Sequence, residues 1–480
     1  MQVQCQILSE DEKHLIHRES IRILEEIGVL FHSQKALQIL ESNGAKVDAE
    51  TRIARIPEEM VTQALSTAPK SFTLGARAAG KDVELPSSQS GYVLDNGGIY
   101  IKDFRTGERR TIHLQDHIEI CKVFEAMESA SILWPATIEE FPSHLVLVKT
   151  AIVSFIHSSL HVQDELYHPE EVPFILETLE TILGSADAVR ERKIYSVVYC
   201  TIPPRMHEGN MCDAYLELTG YEVPICIYPM PCAGSTGPAS LFSNIALANA
   251  EGLSALALFQ MAKPGAPIIF GDASGSADFK TGGFLEGSPE TVLQTGAMGE
   301  MAKFYGLPNE QAGCLTDARD HGPQAVMEKF LTTLPLVLNG TDLIQGPGAL
   351  ETSNMMSLEQ IVVDDEIASL CRRFRAGVDV SPAKNYFEDI AAVKPGGHFL
   401  ARPNTRRACR SDEFSLPRLC DRGSNHEWTM LGQPDMYKRA RVKVEEILSS
   451  PQKNPLSDDI IGKLDEIVRK ADRMLMKESA

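Results

Sequence analysis

The sequence is short of positive charge: 46 Lys and Arg stand against 66 Asp and Glu, a formal net charge of −20. Phosphate backbones are held by clustered Lys and Arg, and no basic cluster beyond short pairs occurs, so nucleic-acid binding is not expected. Ten cysteines are present, but no C-x-x-C pair and no framework spacing, in a chain too large to need disulfide staples. That usage predicts a reducing, cytoplasmic setting. The N-terminus MQVQCQILSEDEKHLIHRES lacks the uninterrupted apolar core of a signal peptide. The longest apolar runs, such as LVLVKTAIVSFI, are short or broken by polar residues, so no membrane association is expected.

What is there is length and periodicity. At 480 residues and 43% hydrophobic content, the chain can bury one large barrel with additions or two to three ordinary domains. Residues 1–112 read as an N-terminal α/β cap. Apolar residues recur at helical spacing from Ser9 to Gly28, a helix begins near Pro57, and Gly91 to Leu114 reads as a hairpin with Asp-Asn-Gly-Gly and Thr-Gly turns. From 113 to 375 short apolar runs alternate with helical segments. Seven candidate strands, Ser131–Thr137, Leu160–Gln163, Ile194–Thr201, Pro224–Pro229, Pro267–Phe270, Gln311–Leu315 and Asp342–Gln345, recur on the scale of a βα unit. Continuous apolar strands imply a parallel sheet buried on both faces. An open doubly wound sheet shares this pattern; the repeat number and the lack of a nucleotide fingerprint favour a (β/α)8 TIM-type barrel. Residues 376–480 read as a C-terminal extension, helical at its end, that packs on the barrel.

Barrel sites lie at the carboxyl ends of the strands. That rule selects Thr137, Glu139, Gln163, Asp164, Cys200, Tyr228, Met230, Asp272, Thr316 to His321, and Gln345. The set holds carboxylates, amides and sulfurs and almost no Lys, which argues against a phosphate clamp. The run Pro231 to Ala239 is Gly-rich and precedes a helix, so its N–H groups could cradle an anion. It lacks a P-loop ending, and a tight connection that lets another molecule approach is an equal alternative. Asn249 and Glu251 in the next helix read as satisfied packing residues. No zinc motif occurs, and lone buried cysteines are more often small hydrophobes, so no metal site is expected. The segment Asp317-Ala318-Arg319-Asp320-His321 reads equally as a functional loop or as one with internal ion pairs.

Several longer motifs occur in a fixed order: GSTGPASLFSNIALANAEGLSALALFQMAKPGAPIIFGDAS, GCLTDARDHGPQAVMEK, LEQIVVDDEIASLCRR, KPGGHFLARPNT and LPRLCDRGSNHEW. Together they resemble the trimethylamine methyltransferase (MttB) superfamily over most of the chain from about Asn96 to Leu448. The resemblance implies a (β/α)8 barrel that moves a methyl group from a methylated amine to the Co(I) of a corrinoid carried by a separate protein, with no tightly bound cofactor of its own. The founding enzymes place pyrrolysine on a loop after a late strand, a position that matches Thr316 to Arg319, best at Arg319. Here every residue is standard. A quaternary ammonium leaves as a neutral amine without prior protonation, so the resemblance points to the non-pyrrolysine branch, which acts on glycine betaine and related quaternary amines.

On that reading Tyr228, Phe270 and Tyr199 supply aromatic faces for the cation, with Trp134 a less secure fourth, and Asp272, Asp317 and Glu139 add negative potential. Gln345 lines the pocket. Arg319 and His321 hold the substrate carboxylate, Arg by its bidentate fork, and Asp317, Arg319 and His321 form the catalytic group. Gly234, Ser235, Thr236 and Gly237 leave room for the corrinoid. A homo-oligomer is expected from the terminal additions. Proline betaine, carnitine and γ-butyrobetaine are alternative substrates. A barrel aldolase or lyase would want a Schiff-base Lys or a metal at a strand end. A non-catalytic betaine-binding or corrinoid-protein-binding scaffold would bind without turnover.

Overall fold

A computed structural model describes residues 2–95 and 97–478. Eight parallel strands close into a barrel: β1 Gly91–Val93, β2 Ala130–Leu133, β3 His161–Asp164, β4 Tyr195–Cys200, β5 Ile225–Tyr228, β6 Ile268–Asp272, β7 Asn309–Ala312 and β8 Leu343–Gln345. The ring closes where β1 lies between β8 and β2, pairing Val93 with Gln345 on one side and with Ile132 on the other. Each strand is followed by a helix: α1 Leu114–Glu125, α2 Val146–His157, α3 Val172–Leu183, α4 Gly209–Leu218, α5 Leu241–Ala262, α6 Pro289–Phe304, α7 Pro323–Asn339 and α8 Leu358–Ala376. This is a (β/α)8 barrel.

The seven apolar runs each overlap a barrel strand, with shifted bounds. The eighth lies where the sequence suggests a hairpin. Gly91–Val93 is β1, and the hairpin is Tyr100–Lys102 with Arg109–Thr111, so the barrel begins inside the stretch read as a cap. Of the Asp-Asn-Gly-Gly turn, Asn96 lies outside the described residues. α5 is long and apolar enough to cross a membrane by composition, yet 89% of its apolar window is buried within the fold. It is the helix on which Glu10–Arg22, Gln34–Ser42 and Glu58–Thr67 of the N-terminal region pack.

Two features decide where a ligand can enter. The hairpin Phe72–Leu74 with Val83–Leu85 plugs the amino end of the barrel, its Leu74 and Leu85 packing with Val93, Ile132, Val198, Ile269 and Leu343 of the interior. The carboxyl end is covered by loops carrying two small sheets. One joins Cys232–Ala233, Gly275–Ala277 and Phe284–Leu285; the other joins Ala349–Leu350, Met355–Met356 and the 100–111 hairpin. Helices Met436–Ser449 and Asp458–Glu478 pack on the outside, against α8 and α3 respectively.

Candidate active site at the carboxyl end of the barrel

Side chains alternate along a strand, so one parity faces the barrel axis. In β5 this parity is Cys226 and Tyr228, which cluster with Val93, Trp134, Val198, Ile269 and Ala312 in the interior. Tyr228 leans over β6 at Gly271, where a Cβ would stand 2.3 Å from the Tyr228 Cδ2. Gly271 is therefore the empty place that the tyrosine ring occupies. The Tyr228 hydroxyl donates to Gln345 Oε1 at 3.4 Å, and its ring meets Trp134 edge-on at a centroid distance of 6.1 Å. The Trp134 indole N–H is buried and has no hydrogen-bond partner, an orphaned donor of the kind that buried sites normally satisfy.

Above these rings stand two carboxyl groups. Asp95 follows β1 and Glu286 lies in the loop before α6, and the Ser353 hydroxyl, from the loop after β8, is 2.7 Å from an oxygen of each. A serine hydroxyl has one proton to donate. It can serve one carboxylate, so the other carboxyl must itself hold a proton and donate to the serine oxygen. Burial, then the charge of Asp95, pushes Glu286 up to about 8; burial pushes Asp95 up to about 6, opposed by the Ser353 hydroxyl and the Gly97 N–H. Burial raises both, so near neutral pH the two carboxyls hold one proton between them. The nearby buried Lys329 is neutralised by Asp364 at 3.0 Å and spends its other donors on the Cys314 and Gly346 carbonyls. Deeper in the barrel, Gln163 Nε2 donates to both oxygens of Glu310 at 3.2 Å, and burial pushes Glu310 up to about 8. The mouth therefore presents aromatic faces and one negative charge, an environment for a cation.

Of the residues expected at the site from sequence, Tyr228 and Gln345 are brought together at this mouth. The others are not. Tyr199 points outward into the helix layer, its hydroxyl against His207 Nδ1 and Cys212 Sγ, each at 2.8 Å, and its ring against Tyr215 and Phe259. Phe270 also points outward, onto Gly252 of α5. Both have the wrong strand parity. Asp272 is buried and accepts from the Ser274 N–H and hydroxyl, and burial pushes it up to about 7. Glu139 is exposed, and its N–H donates to the Ile112 carbonyl.

The charged loop after β7 disperses rather than converges. Asp317 accepts from the Glu286 and Gly287 N–H groups and the Thr352 hydroxyl, so it fixes the loop that carries Glu286. Asp320 pairs with Lys102. His321 stacks on Tyr437 at 4.3 Å and bonds Ser357 Oγ at 2.7 Å, and burial lowers it to about 4. It is a packing residue between α7 and the C-terminal helices and cannot clamp a substrate in the barrel. Arg319 is exposed and, among the described residues, makes no hydrogen bond or ion pair.

The Gly-rich turn is closed on itself. The N–H groups of Gly234, Ser235 and Gly237 donate to the carbonyls of Gly237, Cys232 and Cys232, and the Cys232 N–H donates to Thr236 Oγ. An anion cradle needs those donors free, so the alternative of a tight connection holds. Gly237 is required because a Cβ would fall 1.7 Å from Asn244 Oδ1. Ser235 and Thr236 instead line an outer apolar groove of about 420 Å³ with Ile23, Ile27 and Phe242. Among the described residues no cluster of three His, Cys, Asp or Glu is placed to hold a metal ion.

Asp95, Glu286 and Ser353 are not singled out by the sequence reading. Asp95 had a signal: it is the first acid after the apolar run Tyr92-Val93-Leu94, and it qualifies as a strand-end residue once that run is a barrel strand. Glu286 and Ser353 lie in loops with no periodicity to read.

The family model described as trimethylamine methyltransferase (MTTB) matches residues 2–475. The trimethylamine methyltransferase MttB of Methanosarcina barkeri (strain Fusaro / DSM 804) is 30% identical over 98% of this chain and 96% of its own length. The glycine betaine methyltransferase of Desulfitobacterium hafniense (strain Y51) is 29% identical over 96% of each chain. The crystal structure of the Methanosarcina barkeri monomethylamine methyltransferase superposes with a TM-score of 0.53 over 98% of this chain and 88% of that one, at 9% identity, a likeness of fold.

Proposed function

The chain belongs to the trimethylamine methyltransferase (MTTB) family, and from that premise we propose that it moves a methyl group from a quaternary amine, glycine betaine or a related betaine, to the Co(I) of a corrinoid carried by a separate protein. The observation that carries this reading is the mouth itself: Trp134 and Tyr228 beneath the Asp95–Glu286 pair. Aromatic faces attract quaternary ammonium by their quadrupole, and the charge of the Asp95–Glu286 pair adds to that attraction.

The transfer balances without a proton. The C–N bond breaks with its electron pair left on nitrogen, which departs as a neutral tertiary amine. The Co(I) of the acceptor provides the pair for the new Co–C bond and is formally oxidised to Co(III). No general acid is required, which agrees with a mouth whose titratable groups are occupied with one another. The chain's contribution is to hold the cation so that one methyl faces the acceptor, catalysis by proximity and orientation. Tyr228 is set for this by Gln345 and by the space above Gly271; Asp317 sets Glu286. The corrinoid belongs to the partner.

The trimethylamine and glycine betaine relatives are about equally similar to this chain, so identity does not choose the substrate. Arg319, standard where the resemblance places pyrrolysine, favours a substrate that already carries its charge. The test is to mix the protein with Co(I) cobalamin or a reduced corrinoid protein and follow methylated corrinoid spectroscopically. The panel is trimethylamine, glycine betaine, proline betaine, carnitine and γ-butyrobetaine. Demethylation of one betaine and not of trimethylamine is expected. No demethylation of any quaternary amine overturns the proposal, and binding without turnover would replace it by the scaffold reading.

A further inference from the structure

Between α8 and the helix Met436–Ser449 the chain leaves the barrel and returns. Of residues 378–435 only Asp389, Ala408 and Leu419 are buried, and the regular structure amounts to a 3-10 turn and three helices of six residues each. Its large apolar side chains face outward instead: Val380 is 84% exposed, Leu400 80% and Leu416 77%, with Phe387, Ile390 and Phe414 all above half. Isolated surface hydrophobics are ordinary; a run of them on one segment with almost no core of its own is not, because large exposed apolar patches mark interaction surfaces. The segment is also not a solvated tail. Lys384 pairs with Glu413 at 2.6 Å and Arg402 with Asp389 at 2.6 Å, and Arg373 of α8 holds both the Gly377 and the Glu413 carbonyls. Several of its polar groups are partnered within the chain while its large apolar side chains stay exposed.

We propose that residues 378–416 are an arm that packs on a second copy of this chain. Charge favours that occupant. Lys394, Arg402, Arg406, Arg407 and Arg410 follow one another with no Asp or Glu from 390 to 411, within a chain of net charge −20. Of these only Arg402 has an ion-pair partner among the described residues. Another copy offers acidic surface to cations that have no carboxylate in ion-pair contact, and a twofold axis lets each arm cover the same surface on its neighbour. Position argues against the corrinoid protein. Helices of the barrel run opposite to its strands, so the end of α8 at Ala376 lies toward the plugged face. The arm is rooted there by Arg373 at one end and at the other by Arg418, which pairs with Asp365 at 3.0 Å. A protein delivering cobalt must reach the opposite, carboxyl face.

The test is sedimentation velocity on the full chain at micromolar concentration, with amide hydrogen exchange on the same samples. Wild type is expected at a multiple of the 52.8 kDa chain mass, with 378–416 protected. The double variant Leu400→Asp/Leu416→Asp, whose sites are exposed so that the barrel keeps its circular dichroism, is expected to fall to the single-chain mass and to lose that protection. Arg406→Glu/Arg407→Glu is a second probe that leaves the apolar side chains intact and should weaken association. A monomeric wild type overturns the proposal, as does an oligomer whose mass is unchanged in both variants while 378–416 exchanges freely. Methyl transfer to free cobalamin plays no part in this readout, so the arm and the catalytic reading fail separately.

Discussion

Asp95 and Glu286 share one hydroxyl proton: each has a carboxyl oxygen 2.7 Å from Ser353 Oγ, and the pair holds a single negative charge at neutral pH. A cation arriving beside the pair favours its fully ionised form. Cation binding is therefore expected to expel the pair's proton, and KM for a quaternary amine should fall as pH rises through neutrality, because burial raises both carboxyls. The facing groups that set this window are Asp317 and Lys329 on the β7–α7 side, with Ser353 and Gln345 from β8 and its loop. Glu286→Gln keeps the hydrogen bond to Ser353 and removes the titration, so its KM should be flat between pH 7 and 9 while turnover remains. Asp95→Asn removes one carboxyl of the pair and should raise KM about tenfold, on the order of 1.4 kcal/mol. Steady-state kinetics across pH decide it; a Glu286→Gln profile as steep as wild type would show that the pair does not meet the substrate.

Gly271→Ala probes the aromatic wall without touching it. The new methyl would stand 2.3 Å from Tyr228 Cδ2 and 2.9 Å from the Glu310 carbonyl, so the ring must leave its place beside Trp134. Overpacking of this kind costs roughly 1–3 kcal/mol of stability, which this barrel should survive. The expected outcome is a folded protein whose KM for the quaternary amine rises at least as far as that of Tyr228→Ala. Unchanged kinetics in both variants would remove Tyr228 from the cation site.

Much of the barrel is legible in the sequence because parallel strands buried on both faces read as unbroken apolar runs. The same property hides side-chain direction. Tyr199 and Tyr228 both lie near the carboxyl ends of apolar strands, and only the register separates Tyr199, facing Phe259 of α5, from Tyr228, facing Gln345. The first strand is hidden for another reason: Gly91–Val93 is three residues followed by a Gly-rich turn, which is also how a hairpin is written. The loop from Asp317 to His321 misleads because adjacency along the chain is not convergence in space. Its members turn to Glu286, to solvent, to Lys102 and to Tyr437 in succession.

Glu310 predicts a pH dependence of stability. Burial raises it from an ordinary 4.5 to about 8. Below 4.5 the carboxyl is neutral in both folded and unfolded chains, and its contribution is fully present. Between 4.5 and 8 the folded chain binds the proton more tightly, so stability falls as pH rises, by about 1.4 kcal/mol per unit at most, and levels off above 8. Glu310→Gln is neutral at every pH and can still pair with Gln163. Its Tm relative to wild type should therefore climb steadily from pH 5 to pH 8 in thermal denaturation; a pH-independent difference would mean that Glu310 is ionised in the fold.

Arg319 is the remaining cation of the loop and the one with no partner. Its neighbours are fixed: the Thr316 hydroxyl donates to Glu328 Oε2 at 2.6 Å, Asp317 is held by three donors, and Ala318 is buried against Leu350 and Met355. Arg319→Ala should therefore leave stability within about 0.5 kcal/mol of wild type, as for surface substitutions away from special features. A free guanidinium on an anchored loop is suited to a substrate carboxylate by its bidentate fork. The substitution should then raise KM for a betaine about tenfold, a loss on the order of 1.4 kcal/mol, while leaving inhibition by tetramethylammonium, which has no carboxylate, unchanged. Equal loss for both ligands would place the effect on the cation pocket or the loop. An unchanged betaine KM would leave Arg319 with no part in substrate recognition.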